Sequence, residues 1–178
     1  MPPEVREAAA EAAALTLLSQ HVFKISRKIA CYLPFNSEFD TVPIIQAVWQ
    51  SHKECFLPVL SSSSLKFISC SKGDKLSENR FGILEPVDNT EETPAEMLDL
   101  VILPMLAFDK AGYRLGTGGG FYDKTFAFLL EKPERRPLMV GLGFACQLAE
   151  SLPVDEWDIK LDAALTEDGL QDFTGSLK

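Results

Sequence analysis

Between Asp99 and Phe128 the chain reads DLVILPMLAFDKAGYRLGTGGGFYDKTFAF, and this stretch holds the residue types that can bind a polyphosphate. Five glycines, Gly112, Gly116, Gly118, Gly119 and Gly120, fall within nine residues, with Arg114 and Asp123 beside them. Glycine reaches positive φ without steric cost and lets main-chain N–H groups approach a ligand. Arg114 adds a permanent cation, and a helix beginning near Phe121 adds unpaired N–H groups. The common nucleotide patterns do not fit. A P-loop closes on Gly-Lys-Ser/Thr, whereas Phe121 and Tyr122 follow Gly120, and a dinucleotide loop begun at Gly116 and Gly118 needs glycine at 121. A tight strand-to-helix turn also uses glycine. One or two would serve it, so five flanked by opposite charges favour a phosphate cradle.

The elements around this stretch read as an α/β fold. Asp99 to Leu103 is a short apolar run suited to a strand buried on both faces, closed by Pro104. Met1 to Gln20 reads as a helix with Pro2 and Pro3 in its first turn and a stripe of Val5, Ala9, Ala12 and Leu15 facing the body. Ile29 to Leu33, Glu54 to Leu57, Leu65 to Ser69, residues 138 to 144 and a segment near Ala163 read as further strands. Asp40 or Thr41 can cap a helix running to His52 with Ile44, Ile45, Val48 and Trp49 inward. The serines at 61 to 64 read as a loop, Phe81 to Leu84 as a return to the core, 121 to 131 as one helix, and Pro133, Arg135, Arg136 and Pro137 as a turn. Alternating strands and helices imply a single-domain α/β fold over residues 1–178, a mainly parallel sheet flanked by helices on both faces.

Composition narrows the partners. With 46% apolar and 24% charged residues the chain fits a soluble globular domain. Its net charge of −9 argues against nucleic acid and anionic membranes, which select basic surfaces. There is no membrane-length apolar run and no secretory signal pattern, so a cytoplasmic location is expected. Cys31, Cys55, Cys70 and Cys146 lack paired spacing; Cys31, Cys55 and Cys146 sit in apolar surroundings and read as buried reduced thiols. His21 and His52 have no triad or metal partner in the sequence and read as surface residues.

LPMLAFDKAGY followed by RLGTGGGFYDK closely resembles the signature of the 5-formyltetrahydrofolate cyclo-ligase family, also called 5,10-methenyltetrahydrofolate synthetases. The resemblance continues in order through YLPFNSEFDT, FLPVL, FGILEP, VGLGFACQ and LPVDEWDIKLDAALTEDG. It implies ATP- and Mg2+-dependent cyclisation of 5-formyltetrahydrofolate through a phosphorylated formyl group. It assigns Arg114, Leu115, Gly116, Thr117, Gly118, Gly119, Gly120, Phe121 and Tyr122 to ATP, and Asp123 and Asp158 to magnesium. It assigns Leu33, Glu38 and Thr117 to Phe121 to the folate, with Arg114 and Tyr122 in catalytic roles. Read as residues alone, Asp123 could be a first-turn helix acid, Asp158 a turn residue and Glu38 a solvated loop acid. Phe81, Phe108, Phe121 and Tyr122 could face a pterin or simply fill the core, the latter being favoured.

The chain departs from the family in two places, one of them at Thr117 and Gly119, where relatives often carry a larger or basic residue. The family's basic segment on the first helix is replaced by MPPEVREAAAEAAA, in which Arg6 is the sole early cation and lies beyond the family's phosphate contacts. Two alternatives therefore stay open: a folate-binding or regulatory module with little ATP turnover, and a kinase or ligase acting on another small amide or acid. No exposed apolar stripe is evident, so a monomer is expected.

Overall fold

The computed structural model describes residues 1–87, 92–131, 137–175 and 177. Its helices are α1 (Pro3–Ser19), α2 (His21–Ile25), α3 (Val42–Gln50), α4 (Phe121–Thr125) and α5 (Phe128–Glu131). Its strands are β1 (Lys28–Ala30), β2 (Glu54–Ser61), β3 (Ser64–Ser69), β4 (Leu76–Glu78), β5 (Leu84–Pro86) and β6 (Glu92–Thr93). They continue with β7 (Leu100–Pro104), β8 (Ala107–Phe108), β9 (Arg114–Leu115), β10 (Leu138–Leu142), β11 (Ala163–Thr166) and β12 (Gly169–Asp172). Eight strands form one sheet in the order β12-β11-β10-β7-β1-β2-β3-β6. The run from β11 to β2 is parallel, while β12, β3 and β6 pair antiparallel at the margins.

The continuous apolar runs of β7 and β10 follow from burial on both faces. Successive residues alternate sides, so Leu100 and Ile102 pack with Val140, Leu142, α1 and α3. Val101 and Leu103 point the other way, to Met139, Phe126 and Leu129 beneath α4 and α5. Helices thus cover both faces, as the alternation of elements implies.

Several local expectations are corrected. The buried side of α1 is Ala9, Ala10, Ala13, Ala14 and Leu17, whereas Val5 and Leu15 are half or more exposed. An alanine-rich helix offers little contrast between faces, and a one-residue error rotates the stripe by 100°. Ser61 and Ser64 pair as strand ends, so the serine run is a two-residue hairpin turn with Ser62 at φ +47°. Phe81 and Leu84 are exposed, on the β4–β5 hairpin rather than in the core. The helix expected over 121–131 is broken between α4 and α5. Strand β1 ends at Ala30, before Leu33. Cys146 is exposed, while Cys31, Cys55 and Cys70 are buried free thiols. Pro133, Arg135 and Arg136 of the expected turn lie outside the described residues.

Candidate active site

The loops beyond the carboxyl ends of the parallel strands gather the site, where α/β sheets bind ligands. Arg114 arrives on the β8–β9 hairpin, which is organised by Asp109. That carboxylate is buried and accepts the N–H groups of Ala111 at 2.9 Å and Tyr113 at 3.0 Å through Oδ1, and that of Leu152 at 3.1 Å through Oδ2. Gly112 turns the hairpin at φ +85°, and a Cβ there would lie 2.9 Å from the Leu161 carbonyl oxygen. Glycine is therefore required, and it lets the Leu161 N–H reach the Gly112 carbonyl at 2.8 Å.

So anchored, Arg114 donates through Nη2 to Asp123 Oδ1 at 2.8 Å and through Nη1 to the Ile159 carbonyl. Side-chain exposures of 6% and 21% make this a largely buried ion pair, fixed in a way that surface pairs are not. Asp123 Oδ1 also accepts the Ile159 N–H at 3.1 Å. One carboxylate oxygen thus joins the hairpin, α4 and the 159 segment. Asp158 stands next in the chain, with its Oδ2 accepting the Asp155 N–H at 2.8 Å. Asp123 Oδ2 and Asp158 Oδ1 accept no hydrogen bond from any described residue, and no cluster of three or more His, Cys, Asp or Glu ligands occurs among those residues. Each of the two acids keeps one oxygen open, and magnesium takes one or two carboxylates together with phosphate oxygens and water.

From Gly116 to Tyr122 no main-chain N–H donates to another described residue. Gly118 sits at φ +92° and Gly120, preceding α4, at φ +61°. A Cβ at Gly116 or Gly118 would meet nothing, so the loop opens outward there, whereas at Gly119 it would lie 2.6 Å from the Phe121 ring. The helix behind the loop is tied down. Thr125 Oγ1 donates to the Phe121 carbonyl at 2.6 Å and accepts the Leu65 N–H of β3 at 2.8 Å.

Leu33 and Glu38 lie on the loop after β1, both half-buried. Glu38 Oε2 accepts the Phe35 N–H at 2.9 Å; burial raises its carboxyl pKa, and that hydrogen bond opposes the rise. Tyr122 answers to both sides of the site. Burial raises its hydroxyl first, Glu38 raises it further and Arg114 lowers it. The Tyr122 hydroxyl makes no hydrogen bond with the described residues. The β4–β5 hairpin borders this loop, since a Cβ at Gly82 would stand 3.6 Å from the Phe35 ring. Of the four aromatic rings, Phe108 is core, Phe121 and Tyr122 are half-buried, and Phe81 is half exposed beside the loop.

The structure brings Arg114, Asp123 and the glycine loop together, and electrostatics link Tyr122 to Glu38. Asp109 and Ile159 are the residues that sequence reasoning missed. The Asp-x-x-Gly spacing at 109 to 112 signals an Asx turn and could have revealed Asp109. Ile159 contributes through its main chain, which leaves no mark in a sequence.

With this geometry in view, residues 1–167 match the family model described as the 5-formyltetrahydrofolate cyclo-ligase family, and the chain belongs to that family. It is 38% identical over 170 residues to the 5-formyltetrahydrofolate cyclo-ligase of Escherichia coli (strain K12), covering 93% of this chain and 92% of that protein. The Haemophilus influenzae enzyme of the same name is 38% identical over 152 residues, covering 83% of this chain and 78% of that one. Among solved structures, the Aquifex aeolicus 5,10-methenyltetrahydrofolate synthetase aligns with a TM-score of 0.82 at 33% identity, over 98% of this chain and 86% of that chain. Among the described residues no helix is long and apolar enough to cross a membrane.

Proposed function

We propose that the chain converts 5-formyltetrahydrofolate and ATP to 5,10-methenyltetrahydrofolate, ADP and phosphate, acting as a cytoplasmic monomer without a nucleic-acid or membrane partner. The observation that carries this reading is the unbroken run of N–H groups from Gly116 to Tyr122 that have no partner among the described residues, beside the buried Arg114–Asp123 pair. Leu115 leads into that run, and Gly116 to Tyr122 would cradle the phosphates. Asp123 and Asp158 would hold magnesium, which when bound neutralises phosphate charge. Leu33 and Glu38 would bind the pterin from the facing loop, Glu38 accepting its neighbouring N–H donors, with Thr117 to Phe121 closing over it.

The formyl oxygen on N5 attacks the γ-phosphorus, and the bond to the ADP oxygen breaks. N10 then attacks the activated formyl carbon, loses its proton, and phosphate leaves as the ring closes. This chemistry asks for alignment and charge stabilisation more than for a strong base. Arg114, held rigid by Asp123 and Ile159, would stabilise the transferring phosphoryl group. Tyr122, its hydroxyl unengaged by the described residues, would orient the formyl oxygen.

The test is the absorbance of the methenyl product on mixing the protein with 5-formyltetrahydrofolate, ATP and magnesium, each omitted in turn. Product that requires all three is expected. Folate binding without product under any condition would sink the ligase reading and leave a binding module.

A further inference from the structure

The guanidinium of Arg6, one turn into α1, reaches across 32 residues to donate through Nη2 to the Glu38 carbonyl at 2.8 Å. It lies over the Phe144 ring, 5.3 Å from the centroid, and Phe144 packs on Phe39 with centroids 4.6 Å apart. Both rings are themselves anchored. The Phe39 carbonyl accepts the Tyr32 hydroxyl at 2.7 Å, and the Tyr32 carbonyl accepts the Thr41 hydroxyl. The Phe144 N–H donates to Gln147 Oε1 at 2.6 Å, while Gln147 Nε2 donates to the carbonyls of Met105 and Leu106 at 3.0 and 2.9 Å. Arg6 therefore meets a rigid seat on one side and a main-chain acceptor of the 33–38 loop on the other.

We infer that Arg6 is a positioning residue for folate: it clamps the main chain of Glu38 against the Phe144–Phe39 pair and so sets where the Glu38 carboxylate stands. The clamp acts on the backbone, because the carboxylate has its own partner in the Phe35 N–H. Stacking and a directed N–H suit the planar guanidinium, and an ammonium supplies the charge without the fit. The inference rests on the proposed function, in which Glu38 contacts the folate.

The experiment compares wild type with Arg6→Met, which keeps the packing stem, and with Arg6→Lys. The readouts are KM for each substrate, kcat, and direct folate binding below the melting temperature of each variant. Loss of a hydrogen bond from a charged donor predicts about a tenfold rise in folate KM and Kd for Arg6→Met, with ATP KM and kcat within about twofold of wild type. Arg6→Lys recovers part of the loss. Phe144→Leu, which removes the ring under the guanidinium, shifts folate KM the same way by less. Unchanged folate KM in Arg6→Met, or an equal rise in both KM values, overturns the inference while wild-type turnover keeps the proposed function. A wild-type chain that neither binds nor converts folate overturns both.

Discussion

The two ends of the parallel sheet use their backbone donors in opposite ways. At the amino end, acids placed just before one strand accept the first N–H groups of the next. Asp99, preceding β7, takes those of Arg27 and Lys28 at the start of β1, each at 2.8 Å. Asp162, preceding β11, takes that of Met139 in β10 at 2.8 Å. At the carboxyl end, seven successive N–H groups from Gly116 to Tyr122 have no partner among the described residues. Their chain is held by its flanks, through Arg114, Asp123 and Thr125. One end is closed for stability, and the other is rigid in its frame and open in its centre, which is what an anion site requires.

Substitutions at the two ends should separate stability from turnover. The largest effect is expected for Arg114→Ala, which removes the cation beside the loop: kcat should fall by roughly 10²- to 10³-fold while the protein still melts cooperatively. Wild-type turnover in that variant would take Arg114 out of the chemistry. Gly118→Val puts a branched side chain at φ +92° in the open centre, and strain there predicts about a tenfold rise in ATP KM. Steady-state kinetics decide it, an unmoved KM showing that the loop does not meet the nucleotide.

At the closed end the signs reverse. Asp99→Ala strands two strand-start donors, so the melting temperature should drop by about 2–8 °C with kcat unchanged. The smallest effect concerns Glu38. Burial raises its pKa in the folded state, so its contribution to stability is fully present below the unfolded value of about 4.3 and is lost as pH rises through the folded one. Glu38→Gln, which keeps an acceptor for the Phe35 N–H, should melt roughly 1–3 °C above wild type at pH 7 and level with it at pH 4. A calorimetric pH series showing the opposite ordering would remove the burial argument.

The central sheet was legible because β7 and β10 carry uninterrupted apolar runs, and burial on both faces leaves no other simple pattern. The glycine loop was legible because positive φ restricts residue type. Other features left weaker traces. The buried side of α1 was misplaced because alanine contrasts little with its neighbours, and Ala10 and Ala13 bury as well as any larger residue would. Phe81 was placed inward on hydrophobicity, although it is half exposed beside the loop that bears Glu38. The antiparallel strand β12 was missed because Gly169 to Asp172 alternates too briefly to signal a strand. The seat of Arg6 could not be seen at all. Its partner is a carbonyl oxygen, which every residue possesses, so nothing in the sequence joins position 6 to position 38.

The single oxygen of Asp123 that joins Arg114 to Ile159 also imposes an order on biosynthesis. Ile159 follows Asp123 by 36 residues and Arg114 by 45. At about 5–20 residues per second, a ribosome delivers the glycine loop and the arginine some two to nine seconds before the segment that braces them. A nascent chain therefore carries its glycine loop and Arg114 well before the segment that braces them, and premature termination ahead of Ile159 leaves a polypeptide with the signature motif intact and its frame unfinished.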